Sequence, residues 1–166
     1  MSARFLVAYA SLRGSTAEIA QAVGKELQSA GYGVDVVEMR SVSSLESYHA
    51  VVVGEPVYMG RVGNIGKFVS RHCNSLKLLP VAAFGVGIAP VEKKPGAVEN
   101  EMKILHKALS PLEPVAETIF AGKVELEKLS FLQKWMIGKV KSPVGDFRDW
   151  SAIARWAKEL PGKMGV

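Results

Sequence analysis

Short apolar runs rich in β-branched residues recur along this 166-residue chain, with helical patterns between them. Phe5-Leu6-Val7-Ala8-Tyr9-Ala10 is the first, and it has no polar alternation. A run of this kind marks a strand buried on both faces. Val34 to Glu38, Ala50 to Gly54, Leu79 to Gly85 and Val115 to Ala121 repeat the theme. The first helix is expected over Ser15–Ala30, with Ile19, Ala22, Val23 and Leu27 on one face, Ser15 and Glu18 as a capping box, and Gly31 as its stop. Ser43 to Ser47 reads as a connection with one helical turn. Asn64 is expected to cap a helix ending near Asn74, with Ile65, Phe68, Val69 and His72 together. Residues 86–96 read as a loop, Gly96 to Leu109 as a helix, and Trp150 to Leu160 as the last helix with Asp149 as its N-cap. Strands alternating with helices predict one α/β domain over residues 1–166, with a parallel sheet covered on both faces.

Charge narrows the function. The net charge is +5. Residues 1–120 hold 12 basic and 11 acidic side chains, whereas residues 121–166 hold 9 and 5. The excess is therefore local, which argues against a general polybasic nucleic-acid binder. It leaves a patch for an anionic ligand, an acidic partner or a lipid headgroup. The single cysteine, Cys73, forms no internal disulfide and fits a reducing compartment. His49, His72 and His106 stand at no metal-ligand spacing, so no metal site is expected. The N-terminus runs straight into a strand pattern, and a cytoplasmic location is expected.

Two loops carry the chemistry. Ser11-Leu12-Arg13-Gly14-Ser15-Thr16 joins the first strand to the first helix. Three hydroxyls and a glycine stand where a helix N-terminus offers free N–H groups and a partial positive charge, a setting suited to a phosphate. The loop is neither a Gly-Lys-Ser/Thr P-loop nor a Gly-x-Gly-x-x-Gly turn. The second loop, Glu55-Pro56-Val57-Tyr58-Met59-Gly60, follows the third strand. Its aromatic and apolar side chains suit a flat ring.

Together these loops resemble the flavodoxin family. Hydroxyl-x-x-Gly-x-Thr after the first strand is similar to the phosphate loop that holds FMN, and Val51 to Gly60 is similar to the strand end and loop beside the flavin ring. The resemblance implies a flavodoxin-like three-layer α/β sandwich with a five-stranded parallel sheet of order 2-1-3-4-5, binding FMN at the switch point between the first and third strands. It implies phosphate contacts from Ser11, Leu12, Arg13, Gly14, Ser15 and Thr16, and flavin contacts from Pro56, Val57, Tyr58, Met59 and Gly60. Gly85, Val86, Gly87 and Ile88 are implied to offer backbone groups to the pyrimidine edge. No acid–base pair of the protein's own is needed, because the redox step belongs to the cofactor.

Residues 122–148 interrupt the alternation. The segments Phe131 to Lys139 and Gly145 to Trp150, with the basic Lys93-Lys94-Pro95 stretch, resemble the menaquinone-linked protoporphyrinogen dehydrogenases, which insert a segment after the fifth strand. That implies an FMN-dependent oxidoreductase passing electrons from a reduced substrate through FMN to a quinone or other acceptor. The alternative is an electron-transfer module serving a redox partner protein. Leu129, Leu132, Met136 and Val140 fall on one face of a helix within the insert, beside Phe131 and Trp135. This face suits packing on the core, a substrate wall, or peripheral membrane contact helped by Lys123, Lys128, Lys134, Lys139 and Lys141.

Overall fold

The computed structural model describes residues 2–12, 14–124 and 145–166. Strand β1 (Arg4–Tyr9) enters the middle of a parallel sheet with β2 (Gly33–Glu38), β3 (Ala50–Pro56), β4 (Val81–Gly87) and β5 (Ala116–Ala121). The order is β2-β1-β3-β4-β5, as expected, and all four pairings are parallel. The unbroken apolar runs have a direct cause: each strand feeds two cores. Phe5 and Val7 join Val52, Phe84 and Trp156 on one face. Leu6 and Ala8 join Val51, Val53, Phe68 and Leu105 on the other.

Helices α1 (Ser15–Ser29) and α5 (Trp150–Met164) cover the first face, supplying Ile19, Val23, Leu27, Ile153 and Leu160. Helices α2 (Asn64–Leu76) and α4 (Ala97–Leu109) cover the second, supplying Ile65, Phe68, Val69, Leu105 and Leu109. Asp149 caps α5 as expected, its carboxylate accepting from the Ala152 N–H at 3.0 Å. The helix runs a turn further than expected, through Pro161, before Gly165 ends it with a positive φ.

Several local expectations need correction. Ser15 does not cap α1: the N-cap is Gly14 in a left-handed conformation, and no side chain takes that role. Asn64 is the first residue of α2 rather than its cap. Ser43–Ser47 is a connection, as expected, but its turn, closed by the Tyr48 N–H on the Leu45 carbonyl at 3.1 Å, is not helical; a 3-10 turn stands before it at Met39–Ser41. Residues 86–96 are not one loop, because β4 continues to Gly87 and helix α3 (Ala89–Glu92) follows. Gly85 and Val86 are thus within the strand, where the Val86 carbonyl accepts from the Val57 N–H at 2.8 Å.

The insert opens and closes in an orderly way. After β5, a short strand β6 (Lys123–Val124) pairs antiparallel with β7 (Gly145–Asp146). Backbone bonds tie this stem to the sheet: the Gly122 N–H donates to the Gly87 carbonyl at 3.0 Å, and the Phe147 N–H to the Gly122 carbonyl at 3.1 Å. The helix expected around Leu129–Val140 lies outside the described residues.

Candidate functional site

Parallel strands all end on one side, and β1 and β3 end next to each other. The chain leaves β1 for β2 on one flank and β3 for β4 on the other, so their loops part and open a crevice. A cleft of about 690 Å3 opens there. Ser11 and Leu12 from the first loop meet Pro56, Tyr58 and Met59 from the second along its wall.

The first loop is shaped by its own residues. The Ser11 Oγ accepts from the Gly14 N–H at 3.0 Å. Gly14 has φ +93°, a conformation natural to glycine, and the space where a Cβ would stand is open. Helix α1 begins at Ser15, and its first turn is left without a side-chain cap. Helix α4 begins in the same way, after left-handed Gly96 and without a side-chain cap, whereas carboxylates reach the starts of α2 and α5. Thr16 is buried and Ser15 half-buried. Arg13 lies outside the described residues.

The second loop is a tight turn held at its base. Tyr58 and Arg61 exchange two backbone hydrogen bonds, at 3.1 and 3.0 Å. Between them Met59 has φ +50° and Gly60 φ +71°. Two consecutive positive φ values match a type I′ turn, which glycine and asparagine favour and methionine rarely enters. The turn holds the Met59 side chain 61% exposed and Tyr58 40% exposed at the cleft. A large apolar residue kept in an unfavourable backbone state on the surface points to a binding role.

The residue that organises this loop is Glu55, which the sequence motif contained but whose task was not apparent. Its side chain is 3% exposed and stands in the cleft wall. The carboxylate accepts from the N–H groups of Gly63 (3.1 Å), Asn64 (2.9 Å) and Ile65 (2.8 Å), and from the Asn64 Nδ2 (2.8 Å). It therefore takes up the free donors of α2 and pins both ends of the intervening loop. A lone acid at a strand end, eight residues before a Gly-Asn pair, was the only trace in the sequence.

A family model described as Flavodoxin domain matches residues 6–151. The chain belongs to the flavodoxin family. Solved structures agree in fold. A flavodoxin variant from Pseudomonas aeruginosa superposes with a TM-score of 0.58 at 15% identity, covering 98% of this chain and 99% of that one. Oxidised flavodoxin 1 from Bacillus cereus gives 0.57 at 16% identity, covering 96% and 97%. Rubredoxin oxygen:oxidoreductase from Desulfovibrio gigas gives 0.51 at 15% identity, covering 98% of this chain and 37% of that one. No curated protein sequence matches the chain.

FMN is the cofactor of flavodoxins, and the residues present fit it. The cleft falls in the size range of small-molecule sites, roughly 300–1,000 Å3. Its wall brings Ser11 and Leu12, which precede the uncapped start of α1, together with Pro56, Tyr58 and Met59, and with the charged Glu38, Arg40 and Arg61. Not every residue expected in a flavodoxin site lies on the cleft wall. Val57, Gly60 and the Gly14–Thr16 segment do not line it, nor do Gly85, Val86 and Gly87 of β4 or the following Ile88. The Val86 and Gly87 carbonyls already accept bonds from Val57 and Gly122. Lys94, in the basic stretch after the fourth strand, forms an ion pair with Glu92 at 3.7 Å. Among the described residues, no helix is long and apolar enough to cross a membrane.

Proposed function

We propose that the protein binds FMN at the C-terminal edge of the sheet and works as an electron-transferring flavoprotein. The observation that carries this reading is the cleft where the Ser11 loop and the Tyr58–Met59 turn meet. The N–H groups of Ser15 and Thr16, with the hydroxyls of Ser11 and Thr16, would hold the phosphate, while the Gly14 N–H, bonded to the Ser11 Oγ, shapes the loop. Tyr58 and Met59 would pack on the ring, and backbone groups of Gly85–Ile88 would approach its pyrimidine edge. When bound, FMN supplies the electron transfer; the chain orients it and excludes water from one face.

The test is a titration of flavin-free protein with FMN, followed by quenching of flavin fluorescence. The parent should quench it, and Ser11→Ala with Thr16→Ala should weaken binding at least tenfold, since each hydroxyl on a phosphate contributes about 1.5–3 kcal/mol. Unquenched fluorescence with the parent would overturn the reading.

We further propose that the electrons come from a reduced tetrapyrrole and leave to a quinone, as in the menaquinone-linked protoporphyrinogen dehydrogenases. Support comes from the β6–β7 stem, which roots the inserted segment beside Gly87 at the cofactor edge of the sheet. The basic excess of residues 121–166 suits an anionic substrate or membrane surface. Anaerobic assay of FMN-loaded protein with protoporphyrinogen and menaquinone tests the pair of substrates, and sedimentation with anionic vesicles tests membrane contact. No quinone reduction would leave the simpler role of a carrier serving a redox protein.

A further inference from the structure

Arg148 stands within the Gly145–Trp150 motif, where the chain leaves the insert for α5. Its side chain is only 5% exposed, although it carries a charge. It forms a fork on Asp146, with Nε to Oδ1 at 2.9 Å and Nη2 to Oδ2 at 2.8 Å. Its guanidinium lies 4.6 Å from the centre of the Trp150 ring. The remaining nitrogen, Nη1, donates to the Glu18 carboxylate, 130 residues earlier in the chain. Lys123 adds a further positive charge beside Asp146.

Glu18 occupies the first turn of α1. It follows Ser15 by three residues, so it lies about 4.5 Å further along the helix axis. An unpaired carboxylate there repels a second anion at the same helix start. It also offsets the partial positive charge on which phosphate binding relies.

We propose that Arg148 is a positioning residue for the cofactor phosphate: it neutralises Glu18 and fastens the first turn of α1 to the β6–β7 stem, keeping the helix start receptive to a dianion. The inference rests on the FMN reading above. It differs from a purely structural role in one respect. It acts on the phosphate, so it must separate FMN from riboflavin, which has the same ring and no phosphate.

The experiment measures dissociation constants of both flavins by fluorescence quenching. Three proteins are compared: the parent, Arg148→Met, and Arg148→Met with Glu18→Gln. Arg148→Met should weaken FMN binding about three- to tenfold, as expected for one charge at a helix start. Riboflavin binding should stay within about twofold, and adding Glu18→Gln should return FMN binding to within about twofold of the parent. Unchanged FMN binding overturns the proposal. So does parallel weakening of both flavins, or a double variant no better than the single one. Should Arg148→Met not fold, Glu18→Gln alone must bind FMN at least as tightly as the parent, and weaker binding refutes the idea. A parent that binds neither flavin removes the FMN reading itself, and this inference with it. A parent that binds FMN while the variants match it removes this inference alone.

Discussion

The Glu55 carboxylate and the Asn64 backbone N–H, nine residues apart, meet at 2.9 Å and close the loop that carries Tyr58 and Met59. The same carboxylate also binds Ile65 at 2.8 Å, so a strand end and a helix start are locked by one side chain. Glu55→Gln keeps the shape but turns an amide N–H toward backbone donors. We expect a loss of about 2–3 kcal/mol in urea unfolding, since charge-assisted bonds to a buried group are removed and a donor is left unpaired. The Tyr58–Met59 turn should loosen too, so FMN affinity falls with stability. A variant as stable as the parent would mean that Glu55 does not hold the loop.

Gly54 and Phe84 give a second prediction. They are register partners on β3 and β4, and a Cβ on Gly54 would come within 2.0–2.4 Å of the Phe84 ring. Gly54→Ala should therefore destabilise the protein by about 1–3 kcal/mol, the usual cost of overpacking a filled core. Phe84→Leu in the same chain should relieve part of that cost. Urea unfolding of both single variants and the double one would reveal the coupling; additive losses would argue against the ring contact as the cause.

The strained turn offers a third. Met59 holds φ +50° and Gly60 φ +71°. Met59→Gly should raise stability by a few tenths of a kcal/mol or leave it unchanged, because relief of the left-handed strain and the added freedom of the unfolded chain oppose each other. It should weaken FMN binding, because an apolar wall is lost. If the proposed site holds, Gly60→Ala should shift the flavin midpoint potentials more than the affinity, since a Cβ restricts a peptide held at φ +71°. Redox titration and fluorescence titration on each variant separate the two effects. Identical potentials for Gly60→Ala and the parent would refute the second part.

His106 supplies a pH-dependent test. Its Nδ1 lies 2.9 Å from the Glu117 carboxylate, which raises its pKa above the ordinary 6.5. A raised folded-state value means that the folded protein binds a proton more tightly than the unfolded chain. The contribution is thus complete below about pH 6.5 and fades as pH rises through the raised value. The ring is 55% exposed, so solvent screening keeps the effect under about 1 kcal/mol. His106→Asn should be less stable than the parent at pH 5.5 and equal to it at pH 9. A gap that grew with pH would reverse the assignment.

The strands were readable because burial on two faces removes polar alternation: Leu6 and Val7 serve opposite cores and are both apolar. The end of β4 was misread because glycine is shared by loops and crowded strands. At Gly85 a Cβ would strike Ile119 at 2.7 Å, and at Gly87 it would strike the Glu101 carboxylate at 2.3 Å. Those glycines make room for side chains that come from other elements, and no local pattern records that. The capping box at Ser15 failed for a similar reason, since Gly14 already turns the chain in the left-handed region. Both loops that wall the cleft stood out as motifs. The closure of the second loop by Glu55, and the tie from Arg148 to Glu18, depend on contacts that no local pattern records and had to be seen folded.

The division of each strand between two cores has a consequence for how this fold varies. Phe5 and Leu6 are joined by a peptide bond, yet one packs with Trp156 and the other with Phe68. A change on one face is answered by repacking among residues of that face, while the backbone sheet between them isolates the other. The molecule therefore explores sequence as two nearly separate puzzles laid back to back. A frame built this way keeps its strand order while its relatives, at 15–16% identity, exchange most of their side chains.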